Sequence, residues 1–187
     1  MKLARRAFLR AGAGALFSAA APGIATAVAS PAFLRGNAAR RISLQNIHTG
    51  ERLATEYFAD GRYMPGALDA INRVLRDFRT GDVHAMDPRL LDLLNGLSVR
   101  MDATAPFHVI SGFRSPHTNG MLHGKSSGVA TKSLHMQGMA IDVRLPGRPL
   151  KNLHAAALSL EQGGVGFYPS SDFVHVDTGR VRRWSGV

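Results

Sequence analysis

From Phe107 onward the chain is cut into apolar runs of four to seven residues: Phe107 to Ile110, Met139 to Leu145, Val165 to Tyr168 and Phe173 to Asp177. Connections rich in Gly, Ser and His separate them. Runs this short do not complete the turns that a packed helix needs, and between turn residues they predict strands. The last two flank Pro169-Ser170-Ser171-Asp172, a turn by composition. Between them and the earlier pair, Pro149 to Glu161 has helical length and stops before Gly163-Gly164. Upstream, Arg41 to Ile47 and Arg52 to Phe58, joined by residues 48–51, predict a hairpin, after an irregular stretch from Pro31 to Arg40. Leu68, Ile71, Leu75 and Phe78 then recur at spacings of three and four, the period of one helical face. Asp87-Pro88 reads as a cap and first-turn proline ahead of Leu90, Leu91, Leu94 and Leu97. Neither helix carries visible chemistry, and the chain contains no internal repeat.

The N-terminal residues read as an address rather than as part of this fold. Lys2, Arg5, Arg6 and Arg10 precede a mildly apolar Ala- and Gly-rich stretch, and the form of Arg5 to Arg10 is that of a twin-arginine export signal. Small residues at 25, 27 and 29 offer cleavage sites, and a cut after Ala29 divides the chain into a signal, 1–29, and one domain, 30–187. The stretch is too short and too rich in Gly and Ala to favour a bilayer anchor, so the mature chain is not expected to insert in a membrane. Cutting 29 of 187 residues leaves 158, enough for one domain with a sizeable core. It also removes four cations, lowering the net charge from +10 to +6. That weakens the case for a nucleic-acid partner and suits an anionic polymer of the cell wall. No cysteine is present, so any metal must be held by imidazole and carboxylate.

Those ligand types gather in the second half of the chain. Ser133 to Asp142, reading Ser-Leu-His-Met-Gln-Gly-Met-Ala-Ile-Asp, sets His135 and Asp142 seven positions apart. His135 falls in a loop before a strand and Asp142 within that strand, so the loop can fold one ligand over the other. His175, in the neighbouring apolar run, can complete the set from the next strand. Two imidazoles and a carboxylate fill three corners of a tetrahedron and leave the fourth for water, the arrangement of catalytic zinc. Gly138 and Ala140 are small enough to leave room for an ion, and Ser133 can hold the loop.

Together with Ser111-Gly112-Phe113-Arg114-Ser115, the run Gly163 to Tyr168 and Phe173-Val174-His175-Val176-Asp177-Thr178-Gly179, this decapeptide closely resembles the M15 peptidases. The nearest likeness is to their YcbK-like branch of cell-wall endopeptidases, over about Ile42 to Trp184. The resemblance implies a small α+β domain with a central antiparallel sheet flanked by helices, of the D-Ala-D-Ala peptidase kind. It implies a single Zn2+ on His135, Asp142 and His175, and cleavage of peptide bonds in peptidoglycan by a periplasmic enzyme. By position, Arg114 matches an arginine beside the metal that holds a substrate carboxylate or the oxyanion. Broader relatives place a carboxylate three residues before the last ligand, where this chain has Asp172. Asp177, two residues after His175 on the same strand face, is the competing general base, and Asp172 is preferred.

The alternatives within this reading are a zinc D,D-carboxypeptidase and a non-catalytic zinc protein that binds wall peptides. His108 and His154 read as structural, and His117 and His123 as solvated residues of a loop after Arg114. The glycines at 163–166 lack the Gly-Lys-Ser/Thr of a phosphate loop. Arg182, Arg183 and Trp184 read as packing and surface. Oligomeric state leaves no mark on the sequence.

Overall fold

Alternation of buried and exposed side chains builds the first sheet edge. In the computed structural model, which describes residues 38–125 and 130–186, the expected hairpin is formed by β1 (Arg40–Asn46) and β2 (Arg52–Ala59). The export segment therefore lies outside the described residues. Ile42 and Leu44 point inward while Arg41 faces water, the period-two pattern of a strand with one buried face. Asn46 closes the turn, its side-chain oxygen accepting the N–H groups of His48 and Thr49 at 3.0 and 3.2 Å. A second tight turn at Asp60 and Gly61, both at positive φ, returns the chain into β3 (Arg62–Tyr63).

Two helices follow, each opened by proline. The first, α1 (Pro65–Val74), ends before Phe78, which sequence periodicity had assigned to it. Phe78 instead stacks on His48, with ring centroids 3.8 Å apart. The second, α2 (Pro88–Arg100), starts at the expected cap, Asp87, whose carboxylate accepts the Arg89 N–H at 2.9 Å. Then come β4 (Phe107–Ser111), α3 (Pro116–His123), β5 (Ala140–Arg144) and α4 (Leu150–Leu160). The chain closes with β6 (Gly164–Tyr168), β7 (Phe173–Asp177) and β8 (Arg182–Ser185).

Among the described residues these strands form one sheet, in the order β3-β2-β1-β4-β5-β7-β6-β8. Only β1 with β4 and β6 with β8 run parallel; the other neighbours are antiparallel. The domain is thus α+β with a mostly antiparallel sheet. Register fixes its two faces. Leu44 lies opposite Phe107, Val109 opposite Val143, and Ile141 opposite Val176, so these residues share the face that packs on the helices. Leu90, Leu94 and Leu97 of α2 and Leu153 of α4 complete that core, all essentially inaccessible. The alternate residues, including Asp142, Arg144 and His175, fall on the opposite face. The face that needs no polar group carries the stability, and the other is free for chemistry.

Buried charges appear where the apolar layer must be tied to irregular chain. Asp92 of α2 accepts from Arg40 at 2.7 Å, Tyr57 at 3.0 Å and Tyr63 at 2.7 Å, pinning the short β3 to the helix layer. Asp77 ties the segment after α1 to the segment after β4. It accepts the Ser115 N–H at 2.9 Å, the Ser115 hydroxyl at 2.7 Å and the Arg79 N–H at 3.0 Å. Burial alone would raise its pKa, but the facing hydroxyls of Thr118 and Ser115 and the N–H groups of Ser115 and Arg79 bring it down to about 2.

An acid-stability measurement follows from Asp77. Its folded pKa lies below the unfolded value, so its stabilisation is complete above about pH 4 and is lost as pH falls through about 2. The difference is worth on the order of 2 kcal/mol. Urea unfolding of Asp77→Asn should show lower stability at pH 7 and a flatter decline between about pH 4 and 2 than the parent; parallel acid limbs would refute the assignment.

Candidate metal centre

Strand register sets two of the three clustered residues face to face. Asp142 of β5 and His175 of β7 are direct cross-strand partners on the sheet face away from the helices. His135 reaches them from a single 3-10 turn, Leu134–Gln137, immediately before β5. Ser133 caps that turn, its hydroxyl oxygen accepting the His135 N–H at 3.4 Å. Gly138 ends it at φ +66°, a left-handed conformation that glycine adopts without a Cβ penalty. A Cβ there would also strike the Ala85 carbonyl. The small residue at 138 therefore admits the neighbouring backbone rather than an ion. Asp87 locks the same corner: its N–H donates to the Gly138 carbonyl at 2.9 Å, and its carboxylate accepts from the Thr178 hydroxyl at 2.7 Å.

The result is a convergence of three ligand atoms. His135 Nε2 lies 3.2 Å from His175 Nδ1 and 3.3 Å from Asp142 Oδ1, and His175 Nδ1 lies 2.8 Å from that oxygen. Ligands bonded tetrahedrally at about 2.0 to 2.1 Å are separated by roughly 3.3 Å. The remaining nitrogens decide the protonation pattern. His135 Nδ1 meets the Gly112 carbonyl at 2.7 Å, and a carbonyl can only accept, so Nδ1 carries the proton and Nε2 presents a lone pair. His175 Nε2 faces Asp177 Oδ2 at 3.1 Å and its Nδ1 faces Asp142 Oδ1 at 2.8 Å. Both carboxylates accept, so without a cation the ring carries a proton on each nitrogen, and a bound cation would displace the Nδ1 proton while Nε2–H stays on Asp177. With that proton displaced, two lone pairs and a carboxylate oxygen converge on one point. Such a donor set fits a cation, and among the described residues these three form the cluster able to hold one.

Electrostatics agree with geometry. Burial would raise the Asp142 pKa, yet the facing imidazoles hold it well below the ordinary carboxylate range. Burial would lower that of His175, but Asp142 and Asp177 on either side push it up to about 9. The group between the two carboxylates is driven toward positive charge. Arg114 approaches the second oxygen of Asp142 at 3.6 Å and is buried, with its Nε lacking a protein partner. Burial pulls its pKa down, without removing its charge.

The structure brings together Arg114, His135, Asp142, His175 and Asp177, and leaves Asp172 outside the cluster. Asp177 is fully buried behind His175, where it also accepts the N–H groups of Gly164 and Gly179 and two N–H groups of Arg182. Asp172 is exposed in the β6 to β7 turn and paired with Arg144 at 2.9 Å. His108 sits opposite Arg144, and His154 stacks on Phe167, both outside the cluster. His117 and His123 lie on α3, where sequence reasoning expected a loop. Sequence reasoning also left Arg182 and Trp184 as packing and surface, but they lie on β8 against Asp177 and His175. Their signal was the matching two-residue spacing of Gly164 and Gly166 with Arg182 and Trp184.

An α+β domain with a His, Asp and His cluster beside a buried arginine has the equipment of a metal-dependent hydrolase. The M15_2 peptidase family, described as peptidoglycan L,D-endopeptidase MepK, matches residues 35–184, and the chain belongs to that family. It is 42% identical over 183 residues to the peptidoglycan L,D-endopeptidase MepK of Escherichia coli (strain K12), covering 96% of each chain. The protein of that name from Shigella flexneri matches to the same extent. The probable peptidoglycan L,D-endopeptidase MepK of Haemophilus influenzae is 44% identical over 149 residues, 79% of this chain and 80% of that one.

The Gly138 turn is directly testable. Gly138→Ala places a residue in left-handed backbone at about 1 to 2 kcal/mol and adds the collision with Ala85. Thermal unfolding should therefore fall by at least about 4 °C, whereas an unchanged midpoint would show that the turn does not need glycine.

Proposed function

We propose that the chain is an exported zinc peptidase that cleaves peptide crosslinks of peptidoglycan, with His135, Asp142 and His175 as the metal ligands. The convergence of three ligand-type atoms at 2.8 to 3.3 Å beside a buried arginine carries this reading. Zinc is favoured over softer or harder ions because the donor set mixes imidazole with carboxylate and the chain has no thiolate. Family membership supports peptidase chemistry, and the names of the relatives support the L,D-endopeptidase role over a carboxypeptidase. The twin-arginine pattern in residues 1–29 supports export to the compartment where such a substrate lies, with 30–187 as the mature domain.

A zinc ion held by His135, Asp142 and His175 would lower the pKa of a water to about 7 and would supply a Lewis acid for the scissile carbonyl. Arg114 faces the same corner and stabilises the negative charge that develops on the carbonyl oxygen, or holds a substrate carboxylate. Asp177 fixes the ring of His175 from behind. All its close partners lie on that side, so it is not placed to take a proton from the attacking water. The base is therefore assigned to Asp172, three residues before His175, which must exchange its contact with Arg144 to act. The same carboxylate then returns the proton to the leaving amine.

Digestion of purified sacculi, with released muropeptides resolved by mass, tests the reading. Crosslinked species should fall with zinc present and stay unchanged after chelation. Loss of terminal D-amino acids with crosslinks intact would replace the endopeptidase by a carboxypeptidase, and no change at all would reject both. His135→Ala and Asp142→Ala should each lose bound metal and activity together. Asp172→Asn should keep its metal and lose turnover by about 10²- to 10⁴-fold; full turnover would move proton transfer to another group.

A further inference from the structure

The last strand makes contacts that a mere sheet edge would not need. It runs parallel to β6, with Gly164 opposite Arg182 and Gly166 opposite Trp184. On its other side β6 pairs with β7, where Gly166 lies opposite His175. The two glycines therefore stand between the side chains of β8 and those of β7. A Cβ at 164 would collide with the Arg182 guanidinium and the Asp177 carboxylate, and one at 166 would lie within the indole of Trp184. Each glycine is a gap through which a β8 side chain crosses one strand to reach the next.

Both side chains end on the candidate metal centre. Arg182 meets Asp177 in a fork, Nη1 to Oδ1 at 3.0 Å and Nη2 to Oδ2 at 2.7 Å, a geometry that fixes the carboxylate plane. Asp177 Oδ2 accepts from His175 Nε2 at 3.1 Å, so that plane sets the tilt of the ring. Trp184 lies against the same ring, with centroids 5.2 Å apart and planes at 53°. Its own N–H donates to the Tyr168 hydroxyl at 2.8 Å, and the Arg182 guanidinium lies 4.9 Å above its ring. Arg182 and Trp184 are half-buried while their neighbours Val181 and Arg183 are exposed, so β8 turns one face to this task.

We infer that Arg182 and Trp184 are positioning residues of the metal centre, acting over the Gly164 and Gly166 gaps to hold Asp177 and His175 in ligand geometry. The inference rests on the reading of His135, Asp142 and His175 as a zinc site. A ligand imidazole must present its lone pair along one direction, and rotation of the ring about its own bonds removes it from the site. Outer partners that prevent such rotation typically change metal affinity by about 10- to 100-fold. The bidentate fork matters as geometry: lysine keeps the charge but offers no planar pair of donors.

Trp184 is the one tryptophan of the chain, so its emission reports on this site alone. Zinc titration of the metal-stripped full chain against a competing chelator, followed by that emission, should give one saturating transition. Arg182→Met should weaken the midpoint by about 10- to 100-fold, with Arg182→Lys between the two. At saturating zinc, KM should match the parent and most of kcat should return. The His175 Nε2 proton, observed by nitrogen-edited NMR, should exchange faster in both variants. A lowered melting temperature with unchanged zinc midpoint would mark Arg182 as a structural strut and overturn the inference. If the methionine variant does not fold, the lysine variant decides by the same midpoint. A parent chain that binds no zinc would instead overturn the functional reading, and this inference with it.

Discussion

Three potential ligand atoms are packed within 2.8 to 3.3 Å of one another, and the rest of the site is organised to hold them there. Each is restrained from behind by a different group. The Gly112 carbonyl accepts the far N–H of His135, the Asp177 carboxylate faces the far nitrogen of His175, and the Arg114 guanidinium neutralises the second oxygen of Asp142. Two of these restraints are distant in sequence, and the third, Asp177 two residues from His175, is itself held by Gly164 and Arg182. Gly112 and Arg114 follow β4, Asp177 ends β7, and the turn bearing His135 is seated by Asp87 at the start of α2. The site is therefore a property of the folded domain, since unfolding disperses both the ligands and the groups that aim them.

That requirement explains the division of labour between the sheet faces. The helix-covered face is apolar and closely packed, with Leu44, Val109, Ile141, Val143 and Val176 contributing one continuous core. A strand anchored on that side cannot shift by one residue without turning its apolar set outward. The register that buries Ile141 against Val176 thereby also sets Asp142 against His175. Hydrophobic burial, which has no directional preference of its own, is converted by the pleat into placement of two ligand atoms 2.8 Å apart.

The hairpin, α1, α2 and the later strands were legible because each carries its period plainly, as in Ile42 and Leu44 or Leu90, Leu94 and Leu97. The clustering of His135, Asp142 and His175 was legible because a seven-residue step joins a turn to a strand, and because the flanking motifs resemble one family. Three elements were not. β3 is two residues long and shows no alternation. α3, Pro-His-Thr-Asn-Gly-Met-Leu-His, has little apolar periodicity, although Ser115-Pro116 repeats the cap-and-proline signal that announced α2 at Asp87-Pro88. β8 alternates, but its inward residues are Arg182 and Trp184, and a charged side chain reads as surface until its partner is known. The end of α1 was misplaced for a similar reason. Phe78 kept the helical spacing by coincidence, while Asp77, held by Ser115, takes the chain off the helix.

The two carboxylates near His175 show how little a shared strand face determines. Residues two apart on a strand project the same way, which made Asp177 and the metal appear to be neighbours. An imidazole, however, has nitrogens on different edges of its ring. With Nδ1 directed across to Asp142 on β5, Nε2 is left for Asp177, so a residue on the same face stands on the opposite side of the ring from the other ligands. Asp177 is then suited to orienting and unsuited to proton transfer with the open position. Asp172 is the reverse case: it is exposed, and among the described residues its carboxylate pairs with Arg144. Arg144 is two residues beyond Asp142 on the same strand face, so the partner that Asp172 must exchange stands on the face that carries the His135, Asp142 and His175 cluster.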